Sequence, residues 1–227
     1  MRETFEKELR RLQDELLDLG SMVDEALVSS MEALLRQDFP AAQRIVANDR
    51  PINERRFALE SESLVLLATQ QPMAGDLRTI AAVLEICTEL ERIGDYAKGI
   101  ARICLMMGDV PPIKPLVDVP QMAAKVRAML RQTLDAFVRR DVALARAIPR
   151  QDDEVDALYN RVYHELLDII IADPTTIDRA THLLWVAHNL ERAADRVTNI
   201  CERVVFTVTG ELSELDVREE GVCGTAG

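Results

Sequence analysis

The sequence predicts an all-α protein made of two tandem repeats of an up-down-up three-helix bundle. The 227 residues include only 9 glycines, 9 prolines and 4% aromatics, and the helix-favouring residues Ala, Leu, Glu and Arg are abundant. Apolar residues recur at spacings of three and four, which is typical of amphipathic helices. The segment LERIGD at 90–95 is matched 100 residues later by LERAAD at 190–195, which indicates an internal duplication.

The first half of the chain is predicted to hold three helices. The first ends before Pro40, because proline suits a first helical position. The second spans about 40–71, with a kink or break at Pro51, since proline cannot donate the hydrogen bond of a helix interior. The third follows the Gln-Gln-Pro boundary at 70–72 and ends near Gly108. The apolar stripe of the first helix consists of Phe5, Leu9, Leu12, Leu16, Leu19, Val23 and Leu27.

A proline-rich linker at 109–115, with three prolines in seven residues, separates the halves. The second half repeats the plan of the first. Its helices are expected at about 120–140, 142–172 and 174–209. The predicted domains are therefore 1–110 and 116–210, and the Glu- and Gly-rich tail 211–227 is expected to fray.

Charge and hydropathy exclude several classes of protein. The net charge of −12 repels phosphate backbones, so direct binding to nucleic acid is not expected. The longest uncharged run, 63–75, is too short to span a membrane, and the N-terminal residues lack the apolar core of a signal peptide. The cysteines form no Cys-x-x-Cys pair, and those in helical patterns are expected to pack as small apolar groups. These are Cys87, Cys104 and Cys201, with Cys223 in the tail. We expect a cytoplasmic protein.

The repeated segment carries the candidate site. Glu91 and Asp95 lie four residues apart, as do Glu191 and Asp195, so each pair projects from one helix face. One isolated pair would be read as a solvated acidic edge. Because two carboxylates on one face repel each other, the occurrence of the same pair twice favours a bound cation.

The second helix of each unit offers a matching pair of ligands. These pairs are Asp49 with Asn53, and Asp152 with Asp156. Antiparallel neighbouring helices would bring each pair towards the acidic edge of the third helix. In the second unit His188 and Glu202 share that edge, whereas Thr88 and Arg102 occupy those places in the first. An oxygen-rich site with at most one imidazole suits iron, manganese, magnesium or calcium.

No motif for catalysis is found. The chain has no glycine-rich phosphate loop, no Gly-x-Ser-x-Gly and no His-Glu-x-x-His. Ferritin-like di-iron enzymes use Glu-x-x-His twice, whereas here the order is reversed, from His188 to Glu191, and occurs once. Arg92 and Arg192 point away from the apolar stripe, so we expect them to be solvated or paired with Glu85 or another acid.

Two stretches in this order resemble the PhoU family of bacterial phosphate-signalling proteins. They are QQPMAGDLR at 70–78 and ELERIGD at 89–95, supported by the paired copies in the second half. The resemblance covers roughly 5–210. It implies a PhoU-like pair of three-helix bundles and a cytoplasmic regulator without enzymatic activity.

The resemblance also implies partners and cofactors. PhoU-like proteins restrain the phosphate-specific ABC transporter and keep a sensor histidine kinase from activating the phosphate-starvation response when phosphate is plentiful. They often form homodimers. Family members bind iron or zinc clusters through Glu/Asp-x-x-x-Asp motifs, and manganese or magnesium would suit the same oxygen ligands. Carried over by position, the ligands are Glu91, Asp95 and Asp49 in the first unit, and Glu191, Asp195, Asp152 and Asp156 in the second.

Two other functions stay open on sequence grounds: a di-metal oxidoreductase on a helical bundle, and a helical adaptor without metal. Within the metal hypothesis the two sites are expected to be unequal. Asn53 supplies only a neutral oxygen beside Pro51, and Arg102 stands where the second unit has Glu202. The second site should therefore bind metal more tightly.

Overall fold

The computed structural model describes residues 2–47 and 50–215, and every regular element within these ranges is helical. The prediction of an all-α fold is therefore confirmed. The α-helices of the described ranges are α1 (Arg2–Arg36), α2 (Phe39–Ala47), α3 (Arg50–Gln70), α4 (Ala74–Met107), α5 (Asp118–Arg139), α6 (Val142–Ala147), α7 (Asp152–Ala172) and α8 (Ile177–Thr209).

Helix α1 forms as its apolar pattern predicts. All seven residues of the predicted stripe are buried, and the helix ends at Arg36. Asp38 then starts the next helix, because its carboxylate accepts a hydrogen bond of 2.9 Å from the backbone N–H of Ala41. Pro40 follows as the second residue of α2, where a missing N–H costs no helical hydrogen bond.

The second helix of the second unit is interrupted. In the first unit α2 is described as far as Ala47 and α3 from Arg50, and 48 and 49 lie outside the described residues, so the break expected at Pro51 stays a prediction. In the second unit the prediction of one helix over 142–172 was wrong. Helix α6 gives way to a 3₁₀ turn at Ile148–Gln151, which contains Pro149, before α7 begins. Proline in a helix interior removes a hydrogen bond and clashes with the preceding turn, so it ends α6 here.

Each unit is an up-down-up bundle. In the first unit Arg11 pairs with Glu62 and Arg55 with Asp18, so residue numbers rise along α1 as they fall along α3. The two helices are therefore antiparallel. In the second unit α5 and α7 are related in the same way, since Lys125 pairs with Glu154 and Arg161 with Asp118.

The third helices join the two units. Helices α4 and α8 pack extensively against each other and run antiparallel, because Glu89 pairs with Arg196 and Glu85 with Arg203. Helix α1 also packs on α5. One hydrophobic core therefore runs through both units and contains the two repeat leucines, Leu90 and Leu190.

The segment after α8 is described as far as residue 215. Residues 211–215 are not helical, and Leu215 packs against the core and its N–H donates a hydrogen bond of 3.0 Å to Glu202 Oε1. The expected fraying of the tail stays a prediction, and 216–227 lie outside the described residues. In the described part of the chain no helix combines the length and apolarity that crossing a bilayer requires.

The thiols of Cys87, Cys104 and Cys201 are free and buried, as expected. Burial raises the pKa of the Cys87 thiol to about 12, so it stays protonated and packs as a small apolar group. Cys223 lies outside the described residues.

Candidate metal centre

The acidic edge of the second unit lies where α7 meets α8. Helix α8 buries Leu190 and Ala194 completely, and this leaves Glu191 and Asp195 half-buried at the border of the apolar face. Helix α7 runs alongside and carries Asp156, which is also half-buried. The amphipathic pattern of α8 thus fixes these carboxylates in the groove between two helices.

Glu191 shows how closely the carboxylates approach each other. Burial, together with the negative charges of Asp195 and Asp156, raises the pKa of Glu191 against the opposing effects of His188 and Arg192. Its Oε2 atom is buried and accepts no hydrogen bond. The structure therefore brings Asp156 of α7 to face the Glu191–Asp195 pair, as the sequence predicted.

His188 lies beside this group. Its Nδ1 atom is 3.3 Å from Glu191 Oε2, without the alignment of a hydrogen bond, and about half of its side chain is exposed. The imidazole ring also contacts the ring of Tyr159 on α7, with 6.2 Å between centroids. His188 can thus add one nitrogen ligand from the solvent side of the groove.

Asp152 lies further along the groove. It is the first residue of α7 and is buried. Burial raises the pKa of the Cys201 thiol to about 12, and the charges of Glu202 and Asp152 add to this shift. Asp152 therefore lies near the Cys201 end of α8, about three turns beyond Glu191. The negative charge forms a line along the groove rather than one cluster.

The described side chains do not form a closed coordination sphere. Within residues 2–47 and 50–215, no three Asp, Glu, His or Cys side chains are arranged to hold one ion. Side-chain rotation of Glu191, Asp195 or Asp156 is needed before they share a cation. The arrangement is an open, acidic groove, whose charge attracts cations and whose oxygen atoms suit hard or borderline metals.

The corresponding edge of the first unit is built differently. Glu91 is largely buried and lies 3.9 Å from Arg92 of the same helix. Asp95 and Asn53 are half-buried on α4 and α3. Asp49 lies outside the described residues, so its predicted role is not described by the structure.

A lysine that sequence reasoning did not single out also lies at this edge. Lys98 lines a cavity of about 350 Å³ with Ile52 and Gly94, one turn after Asp95. The second unit has Thr198 at that place. The offset of 100 residues between the repeats could have revealed this difference, which adds to the contrast between Arg102 and Glu202.

The two arginines of the repeated motif have structural contacts. Arg192 stacks over the ring of Tyr96 on α4, with 5.4 Å from its guanidinium carbon to the ring centroid. Arg92 has only its neighbour Glu91 within ion-pair distance among the described residues, whereas Glu85 pairs with Arg203. Neither arginine pairs with Glu85, although the sequence left that pairing open.

Comparison with known proteins agrees with this architecture. The family model for the PhoU domain matches residues 16–104 and again 119–204, one match for each bundle. A "Phosphate-specific transport system accessory protein PhoU homolog" from Clostridium acetobutylicum is 37% identical over 216 residues, which cover 95% of this chain and 99% of that protein. A protein of the same name from Caulobacter vibrioides is 37% identical over 92% of this chain and 91% of its own.

Solved structures show the same fold. The crystal structure of the phosphate transport system regulatory protein PhoU from Streptococcus pneumoniae superposes with a TM-score of 0.85 and 32% identity, covering 92% of this chain and 99% of that one. PhoU from Pseudomonas aeruginosa gives a TM-score of 0.86 at 32% identity, over 91% and 100% of the chains. Two matched repeats, identity above 30% and coverage of nearly the whole length establish that this chain belongs to the PhoU family.

Proposed function

We propose that this chain is a non-enzymatic regulator of phosphate uptake, acting as an accessory protein of a phosphate-specific transport system. The observation that carries the proposal is its similarity to relatives that are named as accessory proteins of that system. This similarity spans both repeats and nearly the full length of either chain. A likeness confined to one bundle would support only the fold.

The regulator restrains the phosphate ABC transporter and keeps its partner sensor histidine kinase inactive while phosphate is plentiful. It works through protein contacts at the cytoplasmic face of the membrane, as a homodimer. The net charge of −12 supports this route, because it disfavours direct contact with DNA. Exposed apolar side chains on the second helices offer surface for such contacts. They are Phe57 and Leu64 on α3 and Tyr163, Leu167 and Ile171 on α7.

Metal binding at the acidic edges forms part of the proposal. Glu191, Asp195 and Asp156 would hold the metal in the second unit, with His188 beside them. The raised pKa of Glu191 supports this, since a cation would relieve the repulsion that the three carboxylates create. Iron or zinc clusters, or manganese or magnesium, would supply positive charge that links α7 to α8. In the first unit Glu91, Asp95, Asn53 and Asp49 would play the same part.

A genetic experiment in the native host tests the regulatory role. Deleting the gene should raise phosphate uptake and activate a starvation-controlled reporter in phosphate-rich medium, and a plasmid copy should restore repression. A plasmid copy that carries Asp135→Asn should restore repression as the wild-type copy does. This carboxylate pairs only with Arg139 of its own helix within the described residues, so the variant serves as a control for the complementation. The proposal is wrong if deletion leaves both uptake and reporter unchanged.

A further inference from the structure

The first helix and the turn after it follow the same register in both units. Asp38 and Asp141 lie 103 residues apart, and each accepts a hydrogen bond of 2.9 Å from the backbone N–H three residues later. The residue before each aspartate, Gln37 or Arg140, has a left-handed backbone. An offset of 103 therefore pairs the residues of α1 with those of α5.

The first unit has an open pocket of about 350 Å³ where α1, α2, α3 and α4 meet. Its wall is mostly apolar, and the side chains that form much of it are Met22, Ala26, Ile45 and Ile52. The charged residues Glu25 and Lys98 also line it. Because their charges are opposite, they favour neither an anion nor a cation, and the pocket suits an uncharged apolar group.

The same place in the second unit is filled by the chain itself. The offset of 103 pairs Ala26 with Met129 and Ile45 with Ile148. Met129 and Ile148 are fully buried, whereas Ala26 and Ile45 are only half-buried. A methionine side chain of α5 therefore occupies, in the second bundle, the space that the first bundle leaves open.

The small residue on α1 accounts for the pocket. The crossing of Gly94 with Ile52 does not, because the second unit has gained one carbon on the third helix and lost one on the second. Ala26, by contrast, lacks three heavy atoms that Met129 has. Protein interiors are close-packed, so an apolar space of this size is filled when a complementary side chain is available.

We propose that this pocket, called here the Ala26 pocket, receives one large apolar side chain from a helix of the phosphate transporter. The inference rests on the proposed function and names a part of its contact surface. Helices interlock when a side chain of one enters a hole between residues of the other, and Met129 shows that a protein side chain fits a hole of this shape. A cavity of roughly 150 Å³ holds a benzene ring, so the Ala26 pocket has room for methionine, leucine or phenylalanine.

The Ala26 pocket is distinct from the acidic edge of the first unit. Neither Glu91 nor Asp95 lines it, although Lys98 lies one turn after Asp95. Docking of an apolar side chain therefore does not require a metal at that edge.

Ala26→Met tests the space itself, because it gives the first unit the residue of the second. The new side chain should fill the pocket and bury apolar surface without displacing a neighbour. The thermal midpoint, followed by circular dichroism, should therefore stay at the wild-type value or rise. A clear fall in the midpoint would show that the space does not accept such a side chain and would overturn the inference.

Affinity for the purified phosphate-specific ABC transporter of the same organism, immobilised in detergent, tests the occupant. The wild type should bind. Ala26→Met should bind about tenfold or more weakly, because a filled pocket excludes the anchoring side chain of the partner. Ala143→Met adds the same side chain at an exposed position of α6 and should bind as the wild type does.

The outcomes separate the inference from the proposed function. Wild-type affinity in Ala26→Met, or equal weakening by Ala143→Met, would overturn the inference alone. Absence of transporter binding by the wild type would contradict the proposed function and the inference together. If Ala26→Met dissociates a dimer of this chain in sedimentation and leaves transporter affinity unchanged, a second copy fills the pocket and the inference is wrong.

Discussion

At the scale of single residues, Glu191 combines burial with unfavourable charge. Burial and the negative charges of Asp195 and Asp156 make its pKa higher in the folded protein than in the unfolded chain. The unfolded chain therefore loses this proton at lower pH than the folded protein does. Metal-free protein must lose stability as the pH rises from the unfolded pKa through the folded pKa of this group.

Replacing Glu191 by Gln should therefore stabilise the metal-free protein at pH 7. We expect a gain of about 1 kcal/mol, the size of a like-charge repulsion at a partly hydrated site. Urea unfolding in the presence of a chelator measures it. The gain should vanish at a pH below the unfolded pKa, where the glutamate is neutral in both states. A loss of stability at pH 7 would contradict this account of the edge.

The residue pairs of the edge were predictable, but their exact placement was not. The i, i+4 spacing and the repeat fixed which carboxylates share a helix face, and Asp156 indeed faces Glu191. Asp152 lies a full turn before Asp156 along α7, close enough to Cys201 for its charge to raise the pKa of that thiol. No spacing within one helix determines how far the next helix slides along it.

At the scale of helices, the approach of α3 to α4 depends on complementary sizes. A Cβ atom on Gly94 would lie 3.2 Å from Ile52 Cδ1 and 3.4 Å from Ile52 Cγ2. In the second unit the repeat positions are Ala194 and Val155, so the third helix has gained one carbon and the second helix has lost one. Total side-chain volume at the crossing is nearly conserved.

A double mutant tests this exchange of size. Gly94→Ala alone should cost about 1 kcal/mol from overpacking, partly offset by the higher helix propensity of alanine. Adding Ile52→Val makes room for the new methyl group and should recover most of the loss. Thermal unfolding of the two single mutants and the double mutant gives the coupling. Additive effects would show that the two side chains do not compete for the same space.

The break within the second helix of the second unit shows how a local signal can be missed. Pro149 was overlooked inside an apparently continuous pattern. The apolar residues on either side of the 3₁₀ turn, Ala145 and Val155, are both buried, so hydrophobicity gives no sign of the interruption. Only Pro149, which has no backbone N–H to donate, indicates the interruption.

At the scale of the whole molecule, ion pairs between Asp24 and two arginines, called here the ion-pair clamp, link the two units. Asp24 on α1 accepts hydrogen bonds from Arg127 at 2.7 Å and from Arg131 at 2.6 Å, both on α5. Burial of Asp24 opposes its ionisation, but the two arginines outweigh this effect and lower the pKa of its carboxyl below the usual value. The clamp is thus formed above the unfolded pKa of Asp24 and lost as the pH falls through its folded pKa.

Asp24→Asn should lower the free energy of unfolding at pH 7 by roughly 1–3 kcal/mol, since it removes charge-assisted hydrogen bonds at a half-buried position. The control is Asp135→Asn, whose partner Arg139 lies on the same exposed helix face and should contribute less than about 1 kcal/mol. Chemical denaturation compares them. The clamp has no role in stability if both variants unfold alike.

The packing of the two units against each other could not be predicted from the sequence. The repeat predicted two bundles and their helix order, because each stripe of apolar residues records one buried face. Helices α4 and α8 have apolar residues around more of their circumference than one bundle needs, and this excess is buried between the units. The pattern contains no information on the direction in which the two helices cross.

The central claim is that the acidic edges bind metal and that the second edge binds it more tightly. Among the described residues, the second edge has two carboxylates and an imidazole around Glu191, whereas Lys98 adds a positive side chain to the first. Each lost negative ligand removes charge that offsets the dehydration of the cation. Metal content should therefore depend more on the second edge than on the first.

Elemental analysis of purified, untagged protein tests this most directly. The double variant Glu191→Ala with Asp195→Ala is compared with Glu91→Ala with Asp95→Ala, which removes the same groups at the repeat positions. We predict that the first variant loses most of the bound iron or zinc and the second only a smaller part, with helical content intact by circular dichroism. Metal lost mainly from the Glu91 and Asp95 variant, or no metal in the folded wild type, would contradict the account.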